Sequence, residues 1–184
     1  MDKWKTLQSN YIFKTPFGNV RKDTCELPNG HLIESYYVNE YDDWVNAIVV
    51  TKENQIVLVE QYRHAAQDFF LEVPAGKPED GETYRDAVIR EVREETGYIS
   101  EKDPICLGEY YVNPATQTNK VITFFIQDAY LAYDQNLDAT EFIDIHLVDI
   151  DEMEAKIYAG EINQLFTANA FFMSKSFFNG ISKD

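Results

Sequence analysis

Short runs of β-branched and apolar residues predict strands in the first half of the chain and again after residue 120. Residues 45–50 and 56–59 form two such runs, and the polar segment 52–55 between them is typical of a hairpin turn. Further strands are predicted at 121–126 and 142–148, and the second of these alternates in part.

The region 11–38 is expected to form two or three strands around a turn at Leu27-Pro28-Asn29-Gly30. Three helices are predicted, namely Thr83 to Thr96, Asp151 to Ala159 and Asn163 to Phe178. Glycine follows the first two at positions 97 and 160, where it commonly ends a helix. Strands on both sides of a central helix, with helices at the end, predict an α+β fold or a sandwich around a mixed sheet.

The central helix carries carboxylates inside its apolar stripe. At about 100° per residue, the stripe consists of Tyr84, Ala87, Val88 and Val92. Glu91 and Glu95 fall within it and Glu94 lies at its edge. Inward carboxylates are costly unless they are paired or metal-bound, and a converging set suits Mg²⁺ or Mn²⁺. The wheel alone leaves open a charged surface helix whose stripe lies elsewhere.

Composition limits the class of protein. With 184 residues and 45% hydrophobic residues, the chain can bury a real core, and disorder is not expected. A net charge of −16 argues against a nucleic-acid backbone as partner. An anionic substrate would need a cation between it and this protein, and bound divalent metal would serve. Acidity that only keeps the protein soluble is the alternative.

Targeting and thiol signals are few. The polar start of the chain is followed by no apolar run, and no stretch is long enough to span a bilayer. We therefore expect no signal peptide and no membrane association. Cys25 and Cys106 form no disulfide framework and no metal pair. Two ordinary thiols in a reducing cytoplasm are expected.

The spacing around the central helix resembles a known family. Gly76 is followed after five residues by Glu82, and after seven more by Arg90-Glu91-Val92-Arg93-Glu94-Glu95-Thr96-Gly97-Tyr98. This pattern resembles the Nudix box, the loop–helix–loop element of the Nudix hydrolases, with Tyr98 at its final apolar position. The resemblance implies an α/β/α sandwich and a metal-dependent hydrolase of nucleoside diphosphate derivatives.

The resemblance also implies roles for residues of the box. Four oxygen ligands for Mg²⁺ or Mn²⁺ are implied: the carboxylates of Glu91, Glu94 and Glu95 and the carbonyl of Ala75. Glu82 and Arg90 are expected to hold the loop and helix together rather than to take part in chemistry. Gly76 and Gly97 are expected to let the backbone turn tightly at each end.

Segments outside the box resemble the ADP-ribose pyrophosphatase subfamily. The segments Glu60-Gln61-Tyr62-Arg63 and Glu72-Val73-Pro74-Ala75-Gly76 match its upstream pattern, and Pro114 follows Tyr98 by sixteen residues. The resemblance implies hydrolysis of ADP-ribose to AMP and ribose 5-phosphate. The run after Pro114 lacks the glycine and glutamate common there, so GDP-mannose or another sugar nucleotide is an alternative. A sensor that binds ADP-ribose without cutting it is a second alternative.

Substrate and proton-transfer residues follow from the same resemblance. Arg63 is expected to clamp the diphosphate with its forked donors, and a solvated strand-end arginine is the alternative. Glu72 and Pro114 are assigned with it to substrate binding. Glu141, at a loop–strand junction, is the expected general base, with Asp138 as the fallback and Glu94 next.

The first part of the chain is expected to mediate assembly. Residues 1–40 are predicted as a β-strand region that joins two copies in a homodimer, and residues 41–184 as the Nudix hydrolase domain. Aromatic residues in this region could stack on a nucleobase or fill a core or interface, and the choice stays open. They are Trp4, Tyr11, Phe13 and Phe17.

Overall fold

The protein is described by a computed structural model over residues 2–178. Its elements in chain order are β1 (Lys5–Thr15), β2 (Gly18–Glu26), β3 (Leu32–Glu40), β4 (Trp44–Thr51), β5 (Gln55–Arg63), β6 (Asp68–Glu72), β7 (Ala75–Gly76), α1 (Tyr84–Thr96), β8 (Tyr98–Ile99), β9 (Ile105–Tyr111), β10 (Lys120–Leu131), β11 (Ile143–Asp149), α2 (Ile150–Ala159) and α3 (Leu165–Phe178). Contacts divide the chain into two compact units.

The first unit contains the chain up to Asp43 together with Tyr110–Val121. It is built on an antiparallel sheet of order β1-β2-β3. The turn between β2 and β3 is closed by the Gly30 N–H, which donates to the Leu27 carbonyl at 2.9 Å. This arrangement confirms three strands around the predicted turn. Residues 110–121 join the sheet through the Asn39 N–H, which donates to the Thr116 carbonyl at 2.8 Å.

The second unit runs from Trp44 to Glu109 and from Ile122 to the last described residue, Phe178. Its sheet has the order β11-β5-β4-β10-β8, with β6 beside β5, β7 beside β4 and β9 beside β10. The predicted hairpin between β4 and β5 is confirmed, and Asn54 adopts a φ of 63° at its turn.

Alternation along β4 explains how helices cover both faces of this sheet. One face packs Val45, Ala47 and Val49 against Val88 and Val92 of α1. The opposite face packs Ile48 and Val50 against residues of α2 and α3, among them Met153 and Phe171. Side chains of a strand point alternately to opposite faces, so one apolar run serves two cores. The predicted α/β/α sandwich is confirmed.

The helix boundaries follow local signals. The Thr83 side chain caps α1 by accepting the Asp86 N–H at 3.1 Å, and Gly97 ends the helix in the left-handed region at φ 72°. Gly160 ends α2 in the same conformation. The prediction was less accurate for α3, which begins at Leu165 rather than Asn163. Over residues 2–178, no helix is long and apolar enough to cross a membrane.

Candidate active site

A cleft of about 370 Å³ opens in the second unit. Its lining residues are Trp44, Gln61, Arg63, Ala75, Gly76, Lys77, Glu79, Arg90, Glu91, Glu95, Asp138 and Glu141. Most of the residues predicted from the box and its flanks therefore meet at one place. Four of these residues were not predicted to have a role in the site, namely Trp44, Gln61, Lys77 and Glu79. Lys77 and Glu79 lie inside the spacing of the box, so their position in the chain was the available signal.

Glu95 is the most deeply buried acid of the cleft. It is 5% exposed, and its Oε2 accepts the Ala75 N–H at 2.9 Å. Burial raises its pKa to about 8, and the charge of Glu91 is a further cause. Burial likewise raises the pKa of Glu91. The predicted inward placement of these carboxylates is confirmed. Burial disfavours the ionised form of each, and a bound cation would favour it.

Gly76 leaves room for a carboxylate. A Cβ at this position would lie 2.0 Å from Cδ of Glu91, closer than real atoms approach. Its φ lies outside the left-handed region, so glycine is not needed here for a backbone conformation that other residues avoid. Glycine is required because the Glu91 carboxylate packs directly on the backbone. For Gly97 the expected turn is confirmed by its φ of 72°.

Arg90 ties the loop before α1 to the helix. Its Nε and Nη2 donate to the two carboxylate oxygens of Glu82 at 3.0 and 2.9 Å, and Nη2 also donates to the Lys77 carbonyl at 2.9 Å. The hydrogen bonds from Arg90 lower the pKa of Glu82. This geometry supports the structural role implied for the pair. Nη1 reaches Glu91 at 2.9 Å and Glu94 at 3.1 Å.

The donors present fit a hard divalent cation. Glu91 and Glu95 lie beside the backbone of residues 75 and 76, so two carboxylates come together in the cleft. Mg²⁺ and Mn²⁺ favour such oxygen ligands. Glu94 is held by Arg90 and by Arg93 at 3.5 Å. In the part of the chain that the structure describes, no three acidic, histidine or cysteine side chains form a preformed metal cage. The ligand assignments of Ala75, Glu91, Glu94 and Glu95 stay predictions.

Arg63 and Glu72 form a two-point ion pair. Nε and Nη2 of Arg63 donate to the two oxygens of Glu72 at 2.8 and 2.7 Å. These hydrogen bonds raise the pKa of Arg63. Glu72 is only 5% exposed, whereas Arg63 lines the cleft. A buried acid that orients a partly exposed arginine favours a built site over a solvated surface arginine.

The loop before β11 brings Asp138 and Glu141 to the cleft. The Asp138 N–H donates to Oε2 of Glu141 at 3.0 Å, and the Glu141 N–H donates to the Asp138 carbonyl at 2.9 Å. After burial and the nearer charges, the charge of Glu141 also contributes to the raised pKa values of Glu91 and Glu95. Both acids therefore remain candidates for the general base.

Pro114 lies in the first unit. It is part of a turn in which the N–H groups of Thr116 and Gln117 donate to the Asn113 carbonyl at 3.0 and 2.8 Å. Pro114 is exposed. Its role in substrate binding stays a prediction.

Comparison with known families identifies most of the chain. The NUDIX domain model matches residues 41–168. The chain belongs to the Nudix family. Residues 4–39 match the nucleoside diphosphate sugar hydrolase N-terminal domain. The cleft described above thus lies in a Nudix hydrolase, and Nudix hydrolases in general use divalent metal ions.

Two relatives support the assignment, and a solved structure shares the fold. The chain is 34% identical over 154 residues to a methanol dehydrogenase activator of Bacillus methanolicus, covering 80% of each chain. It is 29% identical over 167 residues to an ADP-ribose pyrophosphatase of Bacillus subtilis (strain 168), covering 90% of this chain and 89% of the other. A crystal structure of an ADP compounds hydrolase superposes with a TM-score of 0.85 at 18% identity, covering 100% and 98% of the two chains. This last likeness concerns the fold alone.

Proposed function

We propose that this Nudix hydrolase cleaves the diphosphate bond of a nucleoside diphosphate sugar, and that ADP-ribose, giving AMP and ribose 5-phosphate, is the preferred substrate. The observation that carries the proposal is the packing of Glu91 and Glu95 against the backbone at Ala75 and Gly76 inside a cleft. The N-terminal domain match and the Bacillus subtilis relative support the class of substrate.

The charges of the cleft support a metal-dependent reaction. Three cations line it, namely Arg63, Lys77 and Arg90, against five acids, namely Glu79, Glu91, Glu95, Asp138 and Glu141. A diphosphate would meet net negative charge there. Glu91, Glu94, Glu95 and the Ala75 carbonyl would hold Mg²⁺ or Mn²⁺. Bound metal would neutralise the diphosphate and lower the pKa of an attacking water.

The protein's own groups supply binding and proton transfer. Glu72 fixes the guanidinium plane of Arg63, which lines the cleft and would bind a phosphate oxygen of the substrate through its remaining donors. Glu141 accepts the proton of the water that attacks phosphorus, and the P–O bond to the leaving phosphate group breaks. Asp138 is the fallback acceptor on the same loop.

A substrate panel tests the proposal. ADP-ribose, GDP-mannose and other nucleoside diphosphate sugars are assayed with Mg²⁺ or Mn²⁺, and added phosphatase releases phosphate only from cleaved products. We expect the highest kcat/KM for ADP-ribose. A higher value for GDP-mannose would favour the alternative substrate. Binding of ADP-ribose without any product would favour a sensor.

A second candidate is activation of another enzyme, which the Bacillus methanolicus relative favours. Methanol dehydrogenase would be assayed with the wild-type chain and with Glu95→Gln. Stimulation by both would point to a binding role, whereas stimulation by the wild type alone would make activation a consequence of hydrolysis.

We further propose a homodimer formed through residues 1–40, in a cytoplasmic protein. Much of β1 exposes large side chains: Tyr11 is 50% exposed, Phe13 60% and the nearby Phe17 83%. Exposed apolar groups of this kind commonly mark an interface, and two-fold dimers are the commonest oligomers. Light scattering that gives a fully active monomer would contradict the dimer.

A further inference from the structure

The connection between β10 and β11, residues 132–142, carries both candidate proton acceptors, Asp138 and Glu141. We call this segment the base loop. Loops of this kind move readily unless hydrogen bonds fix them. A general base must lie within hydrogen-bond reach of the proton it accepts. The contacts that hold the base loop therefore determine whether the general base reaches the proton that it accepts.

The base loop is fastened to the last turn of α1. The final carbonyls of a helix have no partner within it. In α1 the Glu94 carbonyl accepts the Asn136 N–H at 2.9 Å, and the Glu95 carbonyl accepts Nε2 of Gln135 at 2.7 Å. The same two residues provide candidate metal ligands through their side chains, so one helical turn serves both the metal site and the loop.

Gly97 allows the close approach of the loop. Its carbonyl accepts the N–H groups of Ala132 and Tyr133, each at 3.1 Å. A Cβ at Gly97 would lie 2.0 Å from the Tyr133 carbonyl oxygen. The start of the base loop is thus packed against the end of α1.

Gln135 makes a second hydrogen bond that closes the loop. Its Nε2 also donates to the Ile143 carbonyl at 3.2 Å, and Ile143 is the first residue of β11. One N–H of the amide therefore binds the helix and the other binds the strand that follows the loop. The Gln135 amide therefore joins α1, the first half of the base loop and the first residue of β11.

We propose that Gln135 is the positioning residue of this enzyme, which sets the place of the base loop, and of Glu141 on it, relative to the carboxylates of α1. The inference rests on the proposed function. Within the loop, Asp138 and Glu141 are bound to each other, so they move together. Release of the amide would shift both, and a displacement of about 1 Å at a reacting group can cost roughly 10²-fold in rate.

The variant Gln135→Met tests the inference, because it keeps the length of the side chain and removes both donors. The matched control is Gln55→Met, since Nε2 of Gln55 donates to Asp149 at 3.1 Å between β5 and β11, at an exposed site. We expect Gln135→Met to lower kcat about 10- to 100-fold, with KM and the Mg²⁺ half-saturation changed less than about threefold. Gln55→Met should match the wild type. Unchanged kcat in Gln135→Met would overturn the inference.

A double-mutant cycle separates a positioning role from a merely structural one. If Gln135 acts through Glu141, then Gln135→Met should cost little further activity in a Glu141→Gln background. The residual rate of both single variants should rise with pH, because hydroxide replaces the missing base. The inference would be overturned if the losses of kcat in the two single variants multiplied fully in the double variant. It would also be overturned if Gln135→Met lowered the melting temperature and left the pH profile unchanged.

The outcomes also distinguish this inference from the proposed function. Wild-type activity in Glu141→Gln would refute the assignment of Glu141 as the base. The positioning role of Gln135 would still stand if Gln135→Met lowered kcat and cost little further activity in an Asp138→Asn background. A large loss of kcat in Glu141→Gln together with an unchanged kcat in Gln135→Met would refute only the positioning role of Gln135. Should Gln135→Met fail to fold, Gln135→Asn keeps the amide but is one methylene too short to reach both carbonyls. It should lose kcat as well, and full activity of Gln135→Asn would overturn the inference.

Discussion

The substitution Gly76→Ala isolates the contact between the loop of the Nudix box and its helix. The added Cβ would lie 2.0 Å from Cδ of Glu91 and 2.1 Å from its Oε1. The backbone at Gly76 is held in β7, which pairs with β4, whereas Glu91 is a flexible side chain. We therefore expect the Glu91 carboxylate to move and the backbone to stay.

The size of this movement follows from the contact distance. Ordinary contact begins at 3.4 Å, so the carboxylate must retreat by about 1.4 Å. Metal ligation tolerates only about 0.2 Å, and Glu91 would no longer serve as a ligand. We expect kcat/KM to fall by at least about 10²-fold. The fold should persist, because side-chain rotation relieves the clash.

Phosphate release from ADP-ribose in the presence of phosphatase, measured across a Mg²⁺ titration, checks this expectation, with thermal melting alongside. The control is Gly81→Ala, since a Cβ there meets nothing within 4 Å. Gly81 has a φ of 82°, so the control includes backbone strain of about 1 kcal/mol but no clash. It should lose some stability and keep its activity.

Two results would refute the reasoning. Activity of Gly76→Ala within about threefold of the wild type at low Mg²⁺ would mean that activity does not require Glu91 as a metal ligand. A melting temperature far below that of Gly81→Ala would mean that the backbone had moved instead of the side chain.

Three further predictions concern the buried and loop acids. Glu95→Gln should nearly abolish turnover and weaken Mg²⁺ binding with the fold intact, and wild-type activity at low Mg²⁺ would contradict the metal assignment. Glu141→Gln should lower kcat about 10²- to 10⁴-fold with a smaller change in KM, whereas Asp138→Asn should do little, and steady-state kinetics would reveal the reverse order. In chelator-treated protein, burial raises the pKa of Glu95 to about 8 from an ordinary 4.5, so the folded state favours the protonated carboxyl. This group therefore stabilises the fold below pH 4.5, and the stabilisation is lost as pH rises through about 8. Thermal melting between pH 6.5 and 8.5 should show this fall, while Glu95→Gln should reduce it.

Local periodicity was enough to predict the helix that carries the chemistry. A helix repeats every 3.6 residues, so the positions of Val88, Val92 and Glu95 along the chain already place them on one face. Burial of these three residues confirms that placement. The cap at Thr83 and the left-handed Gly97 also depend on near neighbours alone. These features could be predicted because each is decided within a few residues.

Strands that depend on a distant partner were not predicted. β7 and β8 contain two residues each, which is too short for any periodic pattern. They exist because β7 pairs with β4 and β8 pairs with β10. The grouping of Tyr110–Val121 with the first unit likewise comes from contacts with residues far away in the chain.

The fine placement of the site was decided by tertiary structure. The sequence indicated that Gly76 matters but suggested a turn, whereas the fold shows a carboxylate pressed against its backbone. Gln135 belongs to no motif, and its side chain reaches the Glu95 carbonyl across 40 positions of sequence. Patterns along a chain report which face a residue occupies. Distances between separate segments depend on how helices and strands pack, and only the folded chain determines them.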